Sequence, residues 1–376
     1  MQVSIATNQN LDTATTTPLC FFGLGILFES CYSQLILAVG REPDILCDNA
    51  PDKWGRNRFG IPCISPEKLA AYDKNTRIVI CVRNYEAIYQ QLTLLGFNHV
   101  RVACFDRGYN ILHTIKRLPV LPPPQPPAAI SMAGRWTLIT GAAQGIGKQL
   151  ALAMARLGSN LVLHARQTDH LSETKSACEA EGVKTVCIAA ELSLQTELDH
   201  LLDTLKKLEF PIDVLFNNAG ISPLSGGGRS TFSANTFHAT YAVNTLAPIQ
   251  LSLALIPGMI QRKFGRIINI TSSIHGRPEE MAYACSKAAL DKFVYDLQPE
   301  LDGTGVMLSL ADPGWLQTNM GGPYAKHPVE HAIPGLLLGA LIDGNVGARY
   351  FCAQDYVGLT LEAAISKAHF IEAFQV

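Results

Sequence analysis

The sequence predicts an α/β protein of two units, the larger built on a doubly wound parallel sheet. Three observations carry this. Short unbroken apolar runs alternate with longer helical patterns along most of the chain, a glycine-rich turn joins a strand to a helix near the middle, and a proline tract divides the whole. Runs that do not alternate with polar residues belong to strands buried on both faces, and the sheet that buries both faces is a parallel one wrapped by helices.

Taken in order, residues 1–17 read as a frayed, Thr- and Asn-rich leader without the basic start of a signal peptide. Leu19–Phe22 reads as a strand, followed by Gly23-Leu24-Gly25 and an apolar helix. The stretch Leu19–Val39 is the one membrane candidate, but Glu29, Ser30, Ser33 and Gln34 interrupt it, so a strand, turn and helix are expected instead. Asp44–Cys47, Arg77–Val82 and Val100–Ala103 read as further strands and Ala87–Leu95 as a helix, giving a small Rossmann-like α/β domain over residues 18–116. Phe28 stands where a third glycine would allow close packing of helix on strand, which puts that packing and dinucleotide binding in doubt.

Arg117 to Ser131 carries six prolines between Pro119 and Pro127 and reads as an extended linker, since each proline removes a backbone donor and fixes φ. Beyond it, strands are expected at Trp136–Thr140, Asn160–His164, Thr185–Ala189, Val214–Phe216, Arg266–Thr271 and Val306–Leu310. Helical patterns lie between the first of them, at Lys148–Leu157, Ser172–Glu181 and Leu194–Leu208. This is the pattern of a Rossmann fold over residues 132–376.

Composition narrows the function. With 30 Lys+Arg against 32 Asp+Glu, the net charge of −2 gives no attraction to a phosphate backbone, so no nucleic-acid partner is expected. A chain that is 48% hydrophobic and 16% charged is neither disordered nor a coiled coil. Its ten cysteines show no Cys-x-x-Cys pair, which predicts reduced thiols, a cytoplasmic location and no metal site.

The chemistry-bearing residues begin at Thr140-Gly141-Ala142-Ala143-Gln144-Gly145-Ile146-Gly147, between the first C-terminal strand and its helix. Glycines there let a phosphate approach the backbone amides, and the helix N-terminus supplies partial positive charge. Further on stand Asn217-Asn218-Ala219-Gly220, Asn244 within Tyr241-Ala-Val-Asn-Thr, Tyr283-Ala-Cys-Ser-Lys287, and Pro313-Gly314-Trp315-Leu316-Gln317-Thr318. These five motifs, in this order, resemble the short-chain dehydrogenase/reductase family across residues 135–376.

That resemblance implies catalytic roles for Asn244, Ser272, Tyr283 and Lys287. Ser272, third after Asn269, would hold the substrate carbonyl, and Asn244 would anchor a water linking Lys287 to solvent, with a structural helix-kink amide as the other reading. Tyr283 and Lys287 are four apart and so share a helix face; the ammonium is expected to favour the phenolate of Tyr283. For the cofactor the resemblance implies Gly141, Gln144, Gly145, Ile146, Gly147, Arg166, Glu191, Leu192, Asn218, Ala219, Gly220, Tyr283, Lys287, Pro313, Gly314 and Thr318. Leu163-His164-Ala165-Arg166 has no carboxylate to accept from a ribose 2′-hydroxyl, and Arg166 suits a 2′-phosphate, so NADP(H) is preferred and NAD(H) left open. Glu191 stands where the family usually places an Asp against the adenine.

The expected reaction is hydride transfer between a ketone or aldehyde and an alcohol, on a small-molecule substrate, without metal. The loop from Ser272 to Tyr283, which contains His275, is two residues shorter than usual for the family. Ser222–Thr231, with Gly226-Gly227-Gly228, and Met320–His331 read as mobile lids. The N-terminal unit resembles small nucleotide-sugar-binding domains through Asp48-Asn49 and its Gly60-Ile-Pro…Pro-Glu run, which leaves reduction of a keto-sugar nucleotide as an alternative; a structural or dimer-forming module is another reading of it. An NADPH-sensing regulator and a proline-tract scaffold are the readings from other classes. Family resemblance also implies a homo-oligomer, dimer or tetramer, and no membrane partner is expected.

Overall fold

The computed structural model describes residues 17–83, 85–105, 111–118, 129–223, 233–274, 276–342 and 347–372. Residues 1–16, the proline tract through Ala128, Gly226-Gly227-Gly228 and His275 lie outside them. The chain divides into two compact units, residues 1–125 with 370–376, and residues 126–369.

In the first unit β1 (Leu19–Phe22), β2 (Ile45–Cys47), β3 (Asn57–Arg58), β4 (Ile61–Ile64), β5 (Arg77–Ile80), β6 (Val100–Phe105) and β7 (Leu112–Arg117) form one sheet in the order β3-β4-β2-β1-β5-β6-β7. The pairs are parallel except the two outermost, β3 with β4 and β6 with β7. Helices α1 (Ile26–Val39), α2 (Pro66–Leu69) and α3 (Glu86–Leu94) complete it. The stretch 19–39 is thus a strand, turn and helix. Phe28 does not hold the helix off: it is fully buried and meets Phe21 edge-on at 6.3 Å between ring centres, so an aromatic contact fills the place of close glycine packing.

The second unit has β8 (Trp136–Thr140), β9 (Asn160–Ala165), β10 (Thr185–Ala189), β11 (Val214–Asn217), β12 (Gly265–Ile270), β13 (Val306–Asp312) and β16 (Arg349–Cys352), ordered β10-β9-β8-β11-β12-β13-β16. Every pair is parallel. All residues of β12 and β13 are buried, as unbroken apolar runs require. Helices α4 (Gly145–Arg156), α5 (Ser172–Glu179), α6 (Gln195–Lys206), α7 (Ala234–Tyr241), α8 (Ala247–Gln261), α9 (Met281–Leu301), α10 (Ile333–Leu341) and α11 (Leu361–Glu372) accompany the sheet, and a short pair, β14 (Leu316–Gln317) with β15 (His327–Pro328), lies after β13. In α6 the buried Leu198, Leu201 and Leu205 recur at helical spacing, and each fully buried leucine contributes roughly 1.5–3 kcal/mol.

Chain order reverses direction across the sheet between β8 and β11, and the crevice beyond the strand ends at such a point is where ligands bind in open parallel sheets. Two sequence expectations are corrected. The longest apolar helical stretch is Ala234–Gln261, 28 residues of mean hydropathy 1.5 in its most apolar window, and not 19–39. Half of that window is buried, with Val243, Ala247, Leu251 and Met259 in the core beneath the sheet. Met320–His331 is not a free lid: β14 pairs with β15, Gln317 Nε2 donates to the Ala325 carbonyl at 3.0 Å, and Trp315 Nε1 donates to the Gly321 carbonyl at 2.7 Å.

Candidate active site

The glycine turn is shaped by sterics that only glycine tolerates. Gly141 has φ +67° and Gly145 φ +55°, and a Cβ at Gly147 would stand 2.1 Å from the Gly141 carbonyl oxygen. With that close approach α4 starts directly at the turn, Gln144 being its extended N-cap, so the amides of Gly145, Ile146 and Gly147 head a 12-residue helix. Asn218 fastens the turn to the end of β11: its Nδ2 donates to the carbonyls of Thr140 at 2.8 Å and Gly141 at 3.2 Å. The Thr140 hydroxyl in turn accepts from the amides of Asn218 and Ala219 at 2.9 and 3.0 Å. Thr318 closes the other side, its Cγ2 lying 3.6 Å from where a Gly145 Cβ would be, and Asn319 Nδ2 donates to Gln144 Oε1 at 2.9 Å.

His164 belongs to this turn and sequence reasoning missed it. Its Nδ1 accepts from the Gly141 amide at 3.4 Å while Nε2 lies 3.0 Å from the Ala190 carbonyl, which sets the tautomer with the proton on Nε2. Burial holds its pKa below the ordinary histidine value, so the ring stays neutral and able to accept. Two places away Arg166 is exposed just past the end of β9, with no acidic residue in Leu163–Arg166. Glu191 is engaged in its own turn, where Oε1 accepts from the Ser193 amide at 3.0 Å and hydroxyl at 2.9 Å. The Leu192 side chain is buried in the same core cluster as Leu138 and Val162.

The catalytic candidates meet where β12, α9 and the π turn of residues 242–246 converge. The Ser272 side chain lies near the Tyr283 hydroxyl and favours its ionised form, and Ser272 Oγ accepts from the Ile274 amide at 3.3 Å. Lys287, one helical turn on, is buried, places Nζ 5.8 Å from the centre of the Tyr283 ring and donates to the Ile270 carbonyl at 2.6 Å. Asn244 sits in the π turn, closed by the Ala247 amide donating to the Ala242 carbonyl. Its Oδ1 accepts from the Ile221 amide at 2.8 Å and its Nδ2 donates to the Ile221 carbonyl at 2.9 Å and Ser286 Oγ at 3.0 Å. Both amide functions are therefore committed to the protein. Gly220 lies against the same two groups, a Cβ there falling 3.5 Å from Asn244 Oδ1 and 3.6 Å from Lys287 Nζ.

The electrostatics correct one expectation. Tyr283 is not drawn down toward phenolate: burial pushes it up to about 12, the nearby Ser272 side chain opposes this, and the carboxylates of Asp312 and Glu280 add to the rise. Burial brings Lys287 down to about 8, against the opposing pull of Asp291 and Asp312. Asp291, one turn further along α9, is pushed up to about 6 by burial although the Thr271 hydroxyl donates to it at 2.5 Å. Sequence spacing could not disclose Asp312, which comes from β13, whereas Asp291 follows Lys287 by four residues on the same helix. Among the described residues no group of three or more His, Cys, Asp or Glu is arranged to hold a metal.

Turn, strand ends and helix N-terminus together fit a dinucleotide. The glycines let helix α4 and the end of β11 close on the turn, and a helix N-terminus carries the partial positive charge that suits an anionic group. A family model described as short chain dehydrogenase matches residues 135–328. A short chain dehydrogenase of Pseudocercospora fijiensis is 31% identical over 194 residues, covering 51% of this chain and 63% of the relative, so under two thirds of that protein is spanned. The ketoacyl reductase HetN of Nostoc sp. is 34% identical over 193 residues, covering 50% of this chain and 67% of HetN. A solved short-chain dehydrogenase from Sphingobium yanoikuyae, in complex with NADPH, is similar at a TM-score of 0.50 and 28% identity over 55% of this chain and 84% of its own.

Proposed function

The chain belongs to the short-chain dehydrogenase family, and on that premise we propose that it interconverts a ketone or aldehyde with an alcohol, using NADP(H) as hydride carrier. The observation that carries the reading is the grouping of Ser272, Tyr283 and buried Lys287, with the Lys287 Nζ 5.8 Å from the Tyr283 ring centre, in the same unit as a glycine turn that heads helix α4. A bound nicotinamide supplies or accepts the hydride. Gly141, Gly145, Ile146 and Gly147 would hold its diphosphate, Asn218, Ala219 and Gly220 would line the crevice, and Pro313, Gly314 and Thr318 would hold the carboxamide end. Arg166, exposed at the end of β9 where no acid stands, supports a 2′-phosphate; NADPH in the Sphingobium relative agrees with it.

The residues divide the work by their chemistry. Ser272 donates to the substrate oxygen. Tyr283 donates its proton there as negative charge develops, and a hydroxyl pushed up to about 12 is protonated at neutral pH, ready as the acid of the reduction. Lys287, charged below about 8, stabilises the phenolate left behind and holds the ribose. The ketoacyl reductase relative points to ketones. We also propose a homo-oligomer, because exposed Leu246, Leu253 and Ile260 recur at seven-residue spacing along one face, with exposed Met281 and Tyr295 on α9.

The test is oxidation of NADPH and NADH against a panel of ketones and keto sugars. NADPH-dependent turnover that falls by about a thousandfold in Tyr283→Phe, with NADPH binding kept, is expected. Equal turnover by both proteins overturns the assignment.

A further inference from the structure

Asp312 ends β13 directly before the Pro313–Gly314 turn and is 2% exposed. Three donors converge on it. Oδ1 accepts from the Gly314 amide at 2.8 Å, while Oδ2 accepts from the Ser273 amide at 3.0 Å and from the Tyr350 hydroxyl at 2.7 Å. The Ser273 amide is the peptide that follows Ser272, so this bond clamps the backbone of the carbonyl-binding serine. Tyr350 comes from β16, where it pairs in register with Leu310, and its hydroxyl reaches the end of β13. From the same segment Gln354 Nε2 donates to the Pro313 carbonyl at 2.7 Å, gripping the turn from its other side. Gly314 itself, at φ +67°, has no room for a Cβ, which would fall 2.6 Å from Gln354 Cγ.

Building on the reading above, we propose that Asp312 is a positioning residue: anchored by Tyr350, its carboxylate fixes the Ser272–Ser273 peptide and the Pro313–Gly314 turn relative to one another, so the substrate-oxygen and cofactor sides of the site move as one body. The chemistry requires a carboxylate. Donors approach both oxygens, and an amide accepts at one only while turning an NH₂ toward the other donors. The same negative charge faces the catalytic groups. It raises Tyr283 together with Glu280, and raises Lys287 together with Asp291. Asp312→Asn therefore removes a charge that disfavours the phenolate, and Tyr350→Phe leaves that charge in place.

The test compares Asp312→Asn and Tyr350→Phe in the full chain by three readouts. Amide hydrogen exchange at Ser273 and Gly314, without ligand, is expected to accelerate about tenfold or more in Asp312→Asn and at Ser273 by a smaller factor in Tyr350→Phe. NADPH affinity, read from nicotinamide fluorescence, is expected to weaken about tenfold in Asp312→Asn. The high-pH limb of kcat/KM, set first by loss of the Lys287 proton that the Asp312 charge favours, is expected at lower pH in Asp312→Asn and unmoved in Tyr350→Phe. Unchanged exchange and NADPH affinity in both variants overturn the proposal, as does an Asp312→Asn limb that stays in place. If Asp312→Asn does not fold, Tyr350→Phe decides: faster exchange at Ser273 supports the clamp and wild-type exchange overturns it. The exchange readout needs no turnover, so a chain that reduces no carbonyl refutes the reaction without deciding this point.

Discussion

Lys287 is the residue whose cost and use are most closely linked. Buried and brought down from 10.5 to about 8, it binds fewer protons in the folded chain than in the unfolded chain between those values. Stability from this group therefore rises as pH increases from about 8 to about 10.5, by about 3 kcal/mol at most, and is lacking below pH 8. Urea unfolding of wild type and Lys287→Met across that range checks it: the difference in stability between them should change with pH in that direction, and a constant difference contradicts it. At this scale the motif residues were legible because Tyr283 and Lys287 share a helix face at four-residue spacing. The sign of the Tyr283 shift was not. It depends on desolvation and on Asp312, a residue 29 positions away that only the strand order brings near. His164 escaped for the same reason, since a buried histidine buttressing Gly141 looks in sequence like any polar residue at a strand end.

At the scale of elements, unbroken apolar runs were the easiest to read, and Trp136–Thr140 in the sheet interior and Thr185–Ala189 at its edge both match their predicted bounds. Strands β7 and β16, also at sheet edges, were missed because neither is an unbroken apolar run. The sequence LHTIKR of β7 mixes charge with apolar residues, and the four residues RYFC of β16 alternate in burial. The signal relied on, an unbroken run buried on both faces, is absent from both. The loss mattered for function, because β16 carries Tyr350. The glycine turn makes the sharpest element-level prediction. Gly147→Ala puts a methyl 2.1 Å from one backbone oxygen and 2.6 Å from Asn218 Nδ2, where backbone cannot yield cheaply. Chemical denaturation should show a loss of roughly 1–3 kcal/mol, and fluorescence titration an NADPH affinity weakened by about tenfold or more. Wild-type affinity in a folded Gly147→Ala chain contradicts the role given to this turn.

For the whole molecule, the division into two α/β units followed from the alternation of runs and the proline tract, and the second unit alone carries the proposed chemistry. The first unit has a mostly parallel sheet with an aromatic contact, Phe21 on Phe28, in place of close glycine packing. The exposed Leu246, Leu253 and Ile260 face predicts self-association. Light scattering should show more than one copy for wild type and a shift to monomer for Leu253→Glu, because a carboxylate in an apolar interface costs several kcal/mol; a monomeric wild type contradicts it. The account as a whole rests on hydride delivery assisted by Tyr283, and deuterium tracing tests that most directly. NADPH deuterated at nicotinamide C4 on the transferred face is incubated with the ketone that is turned over fastest, and the alcohol is analysed by mass spectrometry and NMR. The account predicts one deuterium on the carbinol carbon with wild type and almost none with Tyr283→Phe. Deuterium transferred equally by both proteins, or an alcohol formed without deuterium at that carbon, contradicts it.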